Sequence, residues 1–343
     1  MRELRLVSVV APMLNEEQTA GEFYRRVCSA LDGVPFELIV VDDGSSDGTA
    51  VMLASLAAGD PRLKVVELSR NFGHQTALTA GLDHASGDAV VMIDSDLQDP
   101  PELIPEMLAR WREGIDVVYA VRSEREGETR FKLATARWFY RLISKLSQVE
   151  LGQDAGDFRL LDRRALDALK SMRERNRYLR GMTVWVGFTQ AAIPYKRACR
   201  HAGETKYPLA KMVRFALDAI VSFSYTPLQV ATLIGFACAG AAFLGIPLAV
   251  TMRVFGQFVP GVTTTVIAVL LLGGIQLMAI GIIGEYVGRI YDEVKARPLY
   301  LVRERRNLDV VPDVSPEAAE PAADQRPLVL PPAAHGLMRK APL

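Results

Sequence analysis

The chain has 343 residues, with 40 Lys and Arg against 40 Asp and Glu, so its formal net charge is zero. That balance excludes a general nucleic-acid binder, which needs a basic excess. Cys28, Cys199 and Cys238 fit neither a metal-ligand spacing nor a disulfide framework, which indicates a reducing compartment.

The first apolar run, residues 6–12, reads as a buried strand. It leads straight into the polar turn Asn15-Glu16-Glu17, so the N-terminus is not expected to be a signal peptide. Residues 22–31 have helical apolar spacing, and 36–41 form a second strand ending in Asp42-Asp43-Gly44. A helix over 49–58, a strand over 63–68 and a helix over 75–85 follow. Residues 89–93 are a fourth strand, ending in Asp94-Ser95-Asp96. A helix over 103–111 and a strand over 116–121 complete the pattern. Strands alternating with helices predict an α/β domain with a mainly parallel sheet covered by helices. The polar motifs fall at strand carboxyl ends, where open α/β sheets bind ligands.

Residues 228–252 and 262–284 are two long uncharged stretches of membrane-spanning length, read as transmembrane helices over 228–252 and 262–287. The short loop between them predicts a helical hairpin with both ends on one side. Lys206, Lys211 and Arg214 precede it and Arg289, Lys295 and Arg297 follow, whereas the loop carries only Arg253. The positive-inside rule then puts the N-terminal domain and the C-terminus in the cytoplasm, giving a multi-pass inner-membrane protein. A pair of buried core helices is the alternative. Residues 206–227 carry an apolar stripe and read as an interfacial helix, or as an amphipathic helix packed on the domain. Residues 288–310 form a juxtamembrane segment. The Pro- and Ala-rich tail, 311–343, reads as disordered.

Three segments carry chemistry. Asp94-Ser95-Asp96 can hold a divalent cation and a ribose, and the cation can bridge to a diphosphate. An isolated Asp-x-Asp is also a common solvated turn or helix N-cap. The run 41–49, Val-Asp-Asp-Gly-Ser-Ser-Asp-Gly-Thr, offers carboxylates to a base or ribose, and it is equally a capped turn. It is not a P-loop, lacking Gly-Lys-Ser/Thr. The third segment, Ala11 to Glu17, is by itself only a turn. His74 and His201 lack partners at ligand spacing and read as polar lining residues. Trp111, Trp138 and Trp185 read as core or interfacial residues.

Together the three segments resemble the nucleotide-binding half of the family 2 glycosyltransferases, which carry Pro-x-x-Asn-Glu, Val-Asp-Asp-Gly-Ser-x-Asp-Gly-Thr and Asp-x-Asp in this order. Within that family the chain is similar to the polyprenyl-phosphate hexosyltransferases. Asp94 to Glu102, Gly156 to Leu161 and Arg200 to Tyr207 carry that resemblance, with Thr205 where a serine is common.

The resemblance implies a GT-A-type, Rossmann-like domain over 1–205. It implies inverting transfer of a hexose from a nucleotide-sugar, UDP-glucose or similar, to a polyprenyl phosphate. Pro12, Asn15, Glu16, Asp42, Asp43 and Ser95 would contact base and ribose. Asp94 and Asp96 would hold the ribose-diphosphate and a Mg²⁺ or Mn²⁺, with Gln98 as a further ligand. Arg200 and Lys206 would close over the diphosphate, although headgroup attraction is also open for that pair. Arg122 and Arg137 are candidates for the acceptor phosphate, since an arginine fork suits it.

Asp157 matches the family's catalytic carboxylate. A phosphate acceptor is already ionised, so Asp157 is expected to orient the acceptor or fix an arginine at least as much as to take a proton. A homotetramer is implied too, and Gly235, Gly240, Gly245, Gly273, Gly274, Gly281 and Gly284 would permit close helix packing. Two other readings stay open: transfer to another lipid or to a polysaccharide, and an inert membrane scaffold. The Gln-x-x-Arg-Trp motif of processive enzymes is not found.

Overall fold

The computed structural model describes residues 2–122, 155–195, 231–237, 251, 255 and 261–308. The strands are β1 (Val7–Met13), β2 (Phe36–Asp42), β3 (Leu63–Leu68), β4 (Ala89–Met92), β5 (Val117–Arg122), β6 (Ala155–Asp162), β7 (Gln190–Tyr195) and β8 (Val302–Arg306). The helices are α1 (Ala20–Ala30), α2 (Thr49–Gly59), α3 (His74–His84), α4 (Ile104–Arg112), α5 (Arg163–Ser171), α6 (Leu179–Trp185) and α7 (Val262–Val294). A single turn of 3₁₀ helix, Pro101–Leu103, precedes α4. Residues 231–237 are also helical.

One sheet runs in the order β7-β5-β6-β4-β1-β2-β3-β8. β1 to β4 are parallel, as the sequence pattern predicts. β6 is antiparallel to β4 and β5, and β8 is antiparallel to β3, so the sheet is mixed. β1, β2 and β4 are buried along their whole length, the mark of strands covered on both faces. Alternate residues of β1 feed opposite layers. Val7, Val9 and Ala11 join Phe23 and Val27 of α1, Leu53 of α2 and Trp111 of α4. Val10 instead joins Ala77, Leu78 and Leu82 of α3 and Leu166 of α5. A period-two strand between two helix layers requires that division.

Gly81 lets α3 lie close on the sheet, because a Cβ there would stand 2.3 Å from Val10 Cγ1. The helix that carries His74 is thereby held against β1.

α7 runs on past residue 287 to Val294, and the chain then returns to the sheet as β8. The juxtamembrane segment 288–310 thus contains the end of a helix and an edge strand. The sheet is completed from outside residues 1–205. Val302 pairs with Leu68 and Arg306 with Val65, so the chain arrives at the carboxyl end of β3. Asn307, in the left-handed region at φ 57, donates to the carbonyls of Ala57, Asp60 and Leu63 and secures the strand's far end.

Among the described residues one helical stretch, Leu271–Val294, is long and apolar enough to cross a membrane, and none of its most apolar window is buried. The segments 206–227 and 311–343 lie outside the described residues, as does most of 228–252.

Candidate active site

The loops after β1 and β2 are knitted into one surface. Asn15 N–H donates to Ser45 Oγ at 2.9 Å, and Ser46 N–H returns a bond to Asn15 Oδ1 at 2.8 Å. Asn15 stands in the left-handed region at φ 57, which asparagine tolerates. Glu16 N–H donates to Thr49 Oγ1, and Gly48 N–H to a Glu17 carboxylate oxygen. Asp42 accepts from Ser45 N–H at 2.9 Å. Asp43 accepts Phe72 N–H at 2.7 Å and Gly73 N–H at 2.9 Å, which ties the β3–α3 loop into the same surface. Gly44 (φ +74) is required there, since a Cβ would come within 2.6 Å of the Arg70 backbone. Pro12 ends this wall, its carbonyl accepting Ser95 Oγ–H at 2.9 Å.

The Asp-x-Asp turn leaves β4 beside that surface. Leu97 adopts φ 61, a strained state for a branched residue, and such strain collects at functional sites. Asp96 Oδ1 accepts Gln98 N–H at 3.1 Å, and Gln98 itself is buried. Tyr195 of β7 donates to the buried Asp99.

β6 brings the second carboxylate. Ala89 to Met92 pair with Asp162 to Arg159, so continuing the register two residues sets Asp94 opposite Asp157. Like charges facing each other across strands repel. His74, at the start of α3, stands between them. Its Nε2 lies 3.3 Å from Asp94 Oδ1 and 3.5 Å from Asp157 Oδ2. Arg180 of α6 grips Asp157 with a fork, Nε to Oδ1 at 2.7 Å and Nη2 to Oδ2 at 3.0 Å. Gln75 donates a longer bond from Nε2 to Oδ2 at 3.4 Å, and its Oε1 accepts Leu179 N–H at 3.1 Å.

The two carboxylates diverge electrostatically. Burial would raise Asp157, but the His74 and Arg180 hydrogen bonds outweigh it and hold its carboxyl well below the usual range. Among the described residues Asp94 has the approach of His74 but no arginine fork. Burial, then the charges of Asp157, Asp99 and Asp96, push it up to about 6 against the pull of His74. Its Oδ1 is inaccessible and lacks hydrogen-bonding geometry, the His74 approach notwithstanding, while the side chain as a whole stays 31% exposed. Burial would lower His74, yet its Asp157 hydrogen bond and the Asp94 charge prevail and raise it.

The structure therefore brings Asp94, Asp96, Gln98 and Asp157 to one edge, beside the surface of Pro12, Asn15, Glu16, Asp42, Asp43 and Ser95. Arg122 ends β5 on the same edge, opposite Tyr195 and across β6 from the Asp94 turn. Arg137, Arg200 and Lys206 lie outside the described residues. The expected site did not include Gln75 or Arg180, and it treated His74 only as lining. The rule that ligands gather at strand carboxyl ends pointed to the loop after β3 and could have found His74 and Gln75. Nothing local marks Arg180, whose partner Asp157 is brought by β6.

Residues 8–170 match the family described as Glycosyl transferase family 2. The Bacillus subtilis glycosyltransferase YkcC is 46% identical over 305 residues, covering 88% of this chain and 94% of that protein. A bactoprenol glucosyl transferase of Shigella phage SfII is 43% identical over 301 residues, covering 87% of this chain and 97% of its own. Among solved structures, glucosyl-3-phosphoglycerate synthase of Mycobacterium tuberculosis is 27% identical with a TM-score of 0.46, covering 64% of this chain and 78% of that one. The chain belongs to glycosyltransferase family 2.

Proposed function

We propose that the protein transfers a hexose from a nucleotide-sugar, UDP-glucose or a close analogue, to a polyprenyl phosphate at the cytoplasmic face of the membrane. The observation that carries this reading is the carboxylate edge at Asp94 and Asp157, on the same side of the sheet at which the chain returns from α7. Likeness to bactoprenol glucosyl transferases along most of both chains supports the acceptor class.

The reaction is a single displacement. A lipid phosphate oxygen attacks the anomeric carbon, the bond to the diphosphate oxygen breaks, and its electron pair departs with the nucleoside diphosphate. One displacement inverts the anomeric centre. No proton need be removed from an ionised phosphate, so positioning and charge stabilisation supply the catalysis. The surface from Pro12 to Asp43 and Ser95 holds base and ribose. Arg200 and Lys206 neutralise the departing diphosphate, while Arg122 and Arg137 serve the acceptor.

The turn suits a hard divalent cation. Asp94, Asp96 and Gln98 offer oxygen donors, Asp94 Oδ1 is buried without a hydrogen bond, and the crowding that raises Asp94 is excess negative charge. Among the described residues no three His, Cys, Asp or Glu side chains form a ready metal cluster, so diphosphate oxygens would complete the ligand sphere. Mg²⁺ or Mn²⁺ bound there would offset the charge that grows on the leaving group.

The sheet supports a two-span anchor by parity. β7 and β8 lie in one sheet, on one side of any membrane. If α7 crosses the bilayer, the chain between Tyr195 and Val262 must cross an odd number of times, and 228–252 is the stretch of suitable length. Gly273, Gly274, Gly281 and Gly284 on α7, with nothing within 4 Å of where a Cβ would stand, leave room for a close helix neighbour, in keeping with a homo-oligomer.

The test is nucleoside diphosphate release by detergent-purified protein from a panel of UDP- and GDP-sugars with Mg²⁺ or Mn²⁺. Release that needs undecaprenyl phosphate, the metal and Asp96 is expected. Release indifferent to the lipid would overturn the acceptor, and none from folded protein would favour an inert scaffold.

A further inference from the structure

Asp157 is bonded on both of its oxygens. Both of its oxygens face the Arg180 fork, Oδ2 also meets Gln75 and His74, and the side chain is only 7% exposed. A carboxylate bonded on both oxygens and almost wholly buried is poorly placed to take a proton from an acceptor. Arg180 is the opposite case. A third of its side chain is exposed, and among the described residues its Nη1 makes no hydrogen bond. An arginine fixed through one edge of its fork, with the other edge open, is prepared for an oxyanion.

The anchoring of Arg180 indicates which oxyanion. From beneath, the buried Arg159 binds Arg180 O at 3.4 Å and Gly156 O at 3.3 Å, and it also bonds Thr183 Oγ1. These bonds pin the first turn of α6 to β6. From the side, the loop before α6 is fastened to the end of α7. Arg175 N–H donates to Glu293 Oε1 at 2.7 Å, and Arg175 Nη2 bonds Arg297 O. Arg180 therefore lies five positions beyond the point where the catalytic domain grips the apolar helix. A phosphate whose chain runs in the bilayer beside that helix would approach the domain at this corner.

We infer that Arg180 binds the phosphate of the lipid acceptor at the reacting centre, and that Asp157 is the positioning residue that holds its guanidinium. This rests on the reading of the protein as a polyprenyl-phosphate transferase. Asp157 then acts through Arg180 and takes no proton.

The experiment uses full-length protein in detergent. It measures KM and kcat for undecaprenyl phosphate and, separately, the dissociation constant of UDP with Mn²⁺. Arg180→Gln is expected to raise the lipid KM about 10- to 100-fold and to leave UDP binding within about twofold. Arg180→Lys keeps the charge without the fork and should fall between Arg180→Gln and the wild type. Asp157→Asn frees the guanidinium and should raise the lipid KM as well. UDP binding reports that each variant is folded.

An unchanged lipid KM in Arg180→Gln would overturn the assignment. So would weakened UDP binding with the lipid KM intact, which would put Arg180 on the donor diphosphate. A fall in kcat alone for Asp157→Asn would restore it as a base. If the wild type itself shows no lipid-dependent release, the polyprenyl-phosphate reading fails and Arg180 is left without an acceptor to bind.

Discussion

The loop surface after β1 and β2 and the carboxylate pair at Asp94 and Asp157 lie on the same sheet edge, yet they are built on opposite principles. In the first, nearly every polar group is answered from within. Asn15 and Ser45–Ser46 exchange bonds, and Asp43 is satisfied by two backbone N–H groups. In the second, two carboxylates face each other, and only Asp157 has cations enough to stay comfortably ionised. The first surface is complete as a fold, whereas the second becomes complete only when a cation or a substrate joins it. Removing a group from the first should therefore cost stability, and neutralising Asp94 in the second should increase it while destroying activity.

Four substitutions sharpen that contrast. Asp94→Asn has the largest expected effect, a loss of about 100-fold or more in sugar transfer, since it removes charge facing the metal and diphosphate. The same change should stabilise the chelator-treated protein. Asp94 is raised to about 6 from an ordinary value near 4, so its neutral form is favoured in the fold. Its favourable contribution is full below pH ~4 and is lost as pH rises through about 6. Asp94→Asn should thus gain about 1–2 kcal/mol at neutral pH, after discounting for partial exposure, and nothing at pH ~4. Thermal melts across that range read it, and a loss of stability at pH 7 would break the comparison.

Asp43→Ala is the converse. It leaves the N–H groups of Phe72 and Gly73 without their acceptor and should cost about 1–3 kcal/mol, together with UDP affinity. Gly81→Ala forces α3 away from Val10 and should cost about 1–3 kcal/mol by overpacking. Because α3 carries His74, its kcat should fall while UDP binding holds. The smallest effect belongs to Asn307→Ala, which removes the bonds securing β8. It should cost about 1 kcal/mol in a denaturant melt and leave kcat unchanged.

The same contrast explains what the sequence disclosed. β1 to β4 are apolar runs flanked by polar turns, so both the strands and the acidic residues at their ends could be read directly. β8 reads Val-Arg-Glu-Arg-Arg, a charged edge strand with no apolar period, and its partner β3 lies more than two hundred positions away. β6 buries Arg159 in its middle, which breaks the apolar pattern of a central strand. Asp157 was legible through its motif. Arg180 was not, because its meaning lies in the Asp157 fork, and a fork between residues on different elements leaves no local trace. α7 was visible as an apolar stretch, but its extension to Val294 was hidden by Glu285, Arg289 and Asp292, which suit a helix as well as a loop.

The most direct measurement follows a radiolabelled sugar from its nucleotide donor in the presence of undecaprenyl phosphate and Mn²⁺, comparing wild type with Asp94→Asn. Label should enter the organic phase as a glycosyl phosphate released by mild acid, with the anomeric configuration opposite to that of the donor, and Asp94→Asn should carry none there. Label appearing only as free sugar in water, or as a product that keeps the donor's configuration, would contradict a single displacement by a lipid phosphate.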